Sequence, residues 1–210
     1  MSFIRTSCSI VLLLLFFSVR VKAQPIPIEL MMGNKYGVVD MAFSKKFSPT
    51  SRFGFFHMNT IQFDYNEEAN NSFILQDQLF VETVKNLRVT GGVAYSKGGF
   101  DPTAGLQYIF VVKKLMFLCA PRVNIDNEPS YDIMNIIQYE TPLNERTNLF
   151  ARAKFLNVFD ADGNIKSYQW FRLGLEKKGI QFGLAFNLDE NGPNPSVETN
   201  YGIFIRKEIF

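Results

Sequence analysis

The stretch Ile180-Gln-Phe-Gly-Leu-Ala-Phe-Asn-Leu-Asp189 alternates large apolar residues with small or polar ones at a period of two. Its apolar side chains, from Ile180 to Leu188, fall on one face, and the other face carries only polar or small residues. Such alternation is typical of a β-strand with one apolar and one polar face. The preceding run, residues 171–176, repeats the pattern with Arg172 and Glu176 on its polar face. The chain is therefore predicted to be built from β-hairpins.

The same pattern recurs from Tyr36 to the C-terminus, and turn residues separate the runs. The predicted strands are residues 25–32, 35–46, 52–65, 72–85, 88–96, 103–112, 115–125, 131–140, 147–158, 166–176, 179–188 and 196–209. Long polar connections are predicted at residues 66–71, 97–102, 126–130, 159–165 and 189–195. Short connections alternate with them, which predicts an even number of strands. Two connections break this alternation of short and long connections: the one at Gly33-Asn34 is too short and the one at residues 142–146 is too long. A barrel of ten strands therefore remains an alternative to one of twelve.

The N-terminus predicts a secretion signal that is cleaved after residue 23. Arg5 supplies a positive charge, residues 10–17 form a short apolar core, and Val21-Lys22-Ala23 suits a cleavage site. The mature domain is therefore expected to comprise residues 24–210. The eight apolar residues are too few to span a bilayer.

Charge and cysteine usage narrow the function classes. Removing residues 1–23 removes three of the 22 basic residues and none of the 20 acidic ones, which leaves 19 against 20. Without a net basic charge there is no electrostatic case for a nucleic-acid partner. Cys119 is the one cysteine of the mature chain, so no intramolecular disulfide is expected.

The C-terminal segment, residues 201–210, ends in an aromatic residue, and with the hairpin pattern it makes the chain resemble the small outer-membrane β-barrel proteins of bacteria. This resemblance implies an all-β fold, a single antiparallel up-and-down transmembrane barrel. It also implies contact with outer-membrane lipid and insertion by the barrel-insertion machinery. The candidate insertion-signal residues are Gly202, Phe204 and Phe210.

Two residues of the last strand depart from that resemblance. Arg206 and Glu208 share the alternation face of Phe210, where apolar residues are expected. A β-bulge near Lys207 would restore the register.

The polar faces are predicted to line the lumen of the barrel, where both signs of charge occur in similar number. We expect a salt-bridged lumen, because a buried charge without a partner is costly. The protein is expected to be structural or a pore for small solutes, and its oligomeric state is left open. The lumen-lining candidates are Asp40, Glu82, Arg88, Arg122, Glu140, Arg152, Lys154, Arg172 and Glu176, with Gln76, Gln78 and Asp132 on the same faces.

Two alternatives remain open. A barrel-embedded, lipid-modifying hydrolase would have to use His57, the only histidine, but the sequence contains no Gly-x-Ser-x-Gly motif. A soluble secreted barrel that binds a small apolar ligand would need its apolar faces inward and Arg172 and Glu176 outward. We expect no enzyme activity, catalytic residue, cofactor or metal site, since one histidine and one cysteine do not make a zinc site.

Overall fold

The computed structural model describes residues 26–125, 129–192 and 196–209. The predicted signal peptide and Phe210 lie outside these residues. Twelve antiparallel strands close into one barrel, in which sequence neighbours pair and β1 pairs with β12. The strands are β1 (Ile26–Gly33), β2 (Tyr36–Lys46), β3 (Phe53–Asp64), β4 (Ser72–Val84), β5 (Leu87–Ser96), β6 (Gly99–Val112), β7 (Leu115–Asn124), β8 (Ser130–Asn144), β9 (Thr147–Asp160), β10 (Gly163–Lys177), β11 (Ile180–Asn191) and β12 (Ser196–Ile209).

The prediction of an up-and-down barrel with twelve strands is confirmed, and the ten-strand alternative is wrong. A short 3-10 helix, Glu68–Asn70, lies between β3 and β4. Among the described residues, no helix is long and apolar enough to cross a membrane.

Two connections are shorter than predicted, because the strands after them begin earlier. β6 starts at Gly99 and β10 at Gly163, so residues 97–98 and 161–162 suffice as turns. Gly99 has φ 122° and Gly163 has φ 123°, a conformation that is open to glycine and strained for other residues. The predictions of long loops at 97–102 and 159–165 were therefore wrong.

The connection predicted at Pro142–Arg146 is also shorter, because β8 continues through Pro142 to Asn144. The pairing of β8 with β9 shifts register between Pro142 and Asn144. A bulge is one of the few places in a sheet that tolerates proline, which cannot donate a backbone hydrogen bond. The turn that remains consists of Glu145 and Arg146.

We call the end of the barrel that holds the start of β1 and the end of β12 the turn end, and the opposite end the loop end. The turn end carries the connections at residues 85–86, 113–114, 145–146 and 178–179. The loop end carries the connection at residues 65–71. The rule of short turns and long loops is only partly followed, because residues 47–52 form a longer connection at the turn end.

The apolar faces of the strands point outward. Leu184 is 68% exposed and Leu173 is 56% exposed, whereas Arg172, the neighbour of Leu173, is 4% exposed. An apolar outer surface suits hydrocarbon, and a closed sheet leaves no unpaired strand edge in lipid. This arrangement does not favour the soluble-barrel alternative, which needs the opposite assignment of faces.

Side chains fill the middle of the barrel. Tyr36, Met58 and Phe150 point into the lumen and are fully buried there. The rings of Phe150 and Phe204 lie 5.7 Å apart. Barrels with more strands than about eight can hold ligand or water, so this degree of filling is a property of these side chains and not of the strand number.

Candidate functional site: the barrel interior

A cluster of five charged residues crosses the lumen, and we call it the central charge network. It consists of Glu29 on β1, Asp40 on β2, Arg152 and Lys154 on β9, and Arg172 on β10, each at most 8% exposed. Arg152 lies 3.3 Å from Glu29 and 3.4 Å from Asp40. Lys154 lies 2.7 Å from Asp40, and Arg172 lies 2.7 Å from Glu29. Because β1 and β2 stand several strands away from β9 and β10, these ion pairs tie opposite walls together.

A second layer of hydrogen bonds continues this network toward the loop end. Arg172 donates to the Asn187 side chain over 2.8 Å, and Asn187 donates to the Tyr36 hydroxyl over 3.3 Å. The Tyr36 hydroxyl in turn donates to Asp189. Trp170 donates its indole N–H to the same carboxylate over 3.1 Å. The buried carboxylate of Asp189 is thus satisfied by neutral donors.

Arg122 and Asp132 form a separate ion pair on β7 and β8. They are directly opposite in register, and the Arg122 Nη2 lies 2.6 Å from the Asp132 carboxylate. Both side chains are buried. A cavity of about 10 Å³ lies beside them, next to Gln76 and Gln78. Such a volume has room for roughly one water molecule.

The remaining candidates lie nearer the turn end and are less buried. Glu82 pairs with Lys46 at 2.8 Å, and Arg88 lies farther away, at 3.9 Å from Glu82. Arg88 also donates to Gln107 over 3.1 Å and stacks over the Phe80 ring at 4.1 Å.

Glu140 and Glu176 complete this group. Glu140 accepts a hydrogen bond from Gln181 over 3.1 Å. Glu176 accepts one from Asn148 over 2.5 Å. A cavity of about 350 Å³, lined partly by Lys114, Glu140 and Asn148, opens beside them. The lumen is therefore filled in the middle and hollow near the turn end.

Sequence reasoning missed several interior residues. Glu29 is absent from the predicted lumen residues because Pro25 and Pro27 weaken the strand pattern around it, although Ile28-Glu29-Leu30 alternates as a strand does. Arg206 was interpreted as a misfit on an apolar face, but it is buried and donates to Gln181 over 2.5 Å. The pairing of β12 runs without a register shift, so the suggested bulge near Lys207 is absent and Phe204 points inward.

His57 lies on the outward face of β3, outside this interior. Its Nδ1 is 2.8 Å from the Asp77 carboxylate on β4. The described residues place no serine hydroxyl in hydrogen-bonding contact with His57. Nor do they contain a group of three or more metal-binding side chains.

No protein-family model and no curated protein matches the chain. Among solved structures, it is similar to the KdgM porin in complex with disordered oligogalacturonate, with a TM-score of 0.52 and 11% identity over 89% of this chain and 100% of that one. It is also similar to the NanC porin, with a TM-score of 0.54 and 10% identity over 90% and 100% of the two chains. At this identity the likeness shows the fold alone. The chain has the fold of the bacterial outer-membrane β-barrel porins.

Proposed function

We propose that this protein is an outer-membrane barrel of structural type, exported through a signal peptide that is cleaved after Ala23, and that its own side chains close its lumen. The observation that carries this proposal is the central charge network, which spans the lumen with five charged side chains that are almost fully buried. The lumen-lining candidates of the sequence would then act as a plug.

The energetics of the network favour a closed state. Asp40 is held by Lys154, by Arg152 and by the Thr60 hydroxyl, which donates over 2.7 Å. Removing one member of a buried ion pair leaves an uncompensated charge and typically costs about 3–5 kcal/mol. Opening the lumen would require such charges to separate, so spontaneous opening is expected to be rare.

A pore for small solutes is the second candidate, and the hollow beside Glu140 and Lys114 is the observation in its favour. The likeness to porins does not decide between the two, because it shows the fold alone. An anionic sugar such as the oligogalacturonate of the KdgM complex would need cations that are free to bind it. In this chain Arg152, Lys154 and Arg172 are each bonded to a carboxylate.

Planar-bilayer conductance tests the proposal. The purified barrel, shown to be folded by a heat-dependent shift in gel mobility, is expected to give no steady conductance. The double variant Arg152→Ala with Lys154→Ala leaves Glu29 and Asp40 without these partners, and we expect it to admit water and conduct cations.

Leu184→Ala, on the outward face, is the matched control and should stay silent. Steady conductance of the unmodified protein would overturn the closed-lumen proposal in favour of the pore. The mass of the mature chain tests the export step, and a first residue other than Gln24 would contradict the cleavage site.

A further inference from the structure

An ionisable pair stands on the outer face of the barrel. His57 on β3 is directly opposite Asp77 on β4, and their side chains approach to 2.8 Å. The Asp77 side chain is 62% exposed and that of His57 is 16% exposed. The alternation of both strands points these side chains away from the lumen.

The pair lies within the apolar band and not at its border. On the loop-end side the same outer face carries Asn59, then Ile61 on β3 and Leu75 on β4, and on the turn-end side it carries Phe55 and Leu79. An outer-membrane barrel carries an apolar band about 25 Å tall. With apolar side chains on both sides, Asp77 would face hydrocarbon if lipid alone surrounded the barrel.

Among the residues that the structure describes, the Asp77 carboxylate has one hydrogen-bond partner, His57. Ionisable residues inside a membrane are costly, rare and usually functional. Asp40 in the lumen has two cations and a hydroxyl around it, whereas the described hydrogen bond to the Asp77 side chain comes from His57 alone. The exposed part of the Asp77 carboxylate therefore calls for a further donor from outside the barrel.

We propose that the outer face of β3 and β4 around His57 and Asp77 is a dimer interface and that a second copy of this chain supplies the missing partner. When two copies are related by a two-fold axis along the membrane normal, β3 of one copy faces β4 of the other. His57 then stands against the partner's Asp77, and Asp77 against the partner's His57. The pair is self-complementary under this symmetry, as an isologous contact requires.

The surroundings of the pair suit a close approach of two barrels. Gly91 and Val93 stand on the outer face of β5, and Val93 is directly opposite Asp77. Gly91 is exposed, and a Cβ at this position would meet one atom within 4 Å, the Thr103 carbonyl oxygen at 3.9 Å, which is an ordinary van der Waals contact. Small residues let backbones come close in membranes. The Phe43 ring, 5.3 Å from the His57 ring, packs beside the histidine on the other side.

Exchanging the two side chains tests the proposal. Two copies with different tags are co-expressed in an outer membrane, extracted in mild detergent and purified through one tag. The unmodified copies are expected to co-purify. His57→Asp in both copies, or Asp77→His in both copies, places like side chains against each other, and we expect co-purification to fall about tenfold or more, the equivalent of about 1.4 kcal/mol.

The decisive sample combines one His57→Asp copy with one Asp77→His copy. Each carboxylate then meets a histidine across the interface, so pairing should return. A role confined to one barrel would not produce this rescue, because each copy still carries its own mismatched pair. Asn135→Asp, on the outward face of β8, is the matched control for an added outer-face charge and should leave co-purification unchanged.

The heat-dependent gel shift establishes that every variant is folded. Where a charge variant does not fold, Asp77→Asn or His57→Gln removes one member of the pair with a neutral side chain, and co-purification is expected to fall. The proposal is overturned if unmodified copies stay separate, if the variants pair undiminished, or if the mixed sample pairs no better than the single variants. Co-purification does not depend on conductance, so the failure of the dimer proposal can be distinguished from the failure of the closed-lumen proposal.

Discussion

The central charge network lies inside the barrel and the His57–Asp77 pair lies on its outer face, and each places a carboxylate against a basic side chain. Asp40 is 2% exposed and accepts hydrogen bonds from Lys154, Arg152 and Thr60. Asp77 has a side chain that is 62% exposed and a described hydrogen bond from His57 alone. A buried carboxylate whose hydrogen bonds are all made within the barrel stabilises the fold. A carboxylate in the apolar band with one hydrogen bond from its own barrel can gain further bonds only from another molecule.

The largest effect is expected from neutralising the inner carboxylate. Asp40→Asn would leave Lys154 and Arg152 buried without this counter-charge and should lower the free energy of unfolding by about 3–5 kcal/mol. Urea unfolding of the barrel in lipid vesicles measures it. A loss below about 1 kcal/mol would mean that water reaches the network and that the lumen is more open than described.

The separate inner ion pair of Arg122 and Asp132 tests the same dependence of a buried charge on its partner, with a smaller expected change in the free energy of unfolding. Arg122→Met and Asp132→Leu should each destabilise the barrel, because each leaves one buried charge alone. The double variant should cost less than the sum of the two by about 1–3 kcal/mol. Additive losses in the same urea assay would show that the two side chains do not depend on each other.

Neutralising the outer carboxylate should change stability much less than neutralising the inner one. Asp77→Asn keeps the shape of the side chain and removes a charge from the lipid-facing surface, so we expect a change below about 1 kcal/mol for the separated monomer. The measurement is the same urea unfolding, at a dilution where copies are apart. A loss as large as that of Asp40→Asn would place Asp77 among the residues that hold the barrel together.

Two phenylalanines at the C-terminus are expected to affect different properties: Phe204 the stability of the folded barrel, and Phe210 its insertion into the membrane. Phe204 packs inside the barrel against Phe150, so Phe204→Ala should destabilise the folded protein. Phe210→Ala is proposed to slow insertion into the outer membrane, followed as the appearance of the heat-resistant band over time. Unchanged insertion would remove Phe210 from the insertion signal.

Particular residues show how far the sequence could lead. The alternation from Ile180 to Asp189 was sufficient to predict a strand with one apolar face, because side chains on a strand point to opposite faces in turn. The strand starts at Gly99 and Gly163 could not be predicted from the sequence. The length of a hairpin also depends on how far the adjacent strands extend and can form backbone hydrogen bonds with it. Arg206 was misread for a related reason, since only its position beside Gln181 explains it.

By itself, the sequence determined the β-strands, their approximate number and the two chemically distinct faces of each one. Only the tertiary structure decided which face is inside and which charges meet. Closure of β1 on β12 brings Glu29 within 3.3 Å of Arg152, which is 123 positions away in the chain. A period of two specifies a face but no partner across a barrel, because the partner depends on strand order, register and closure together.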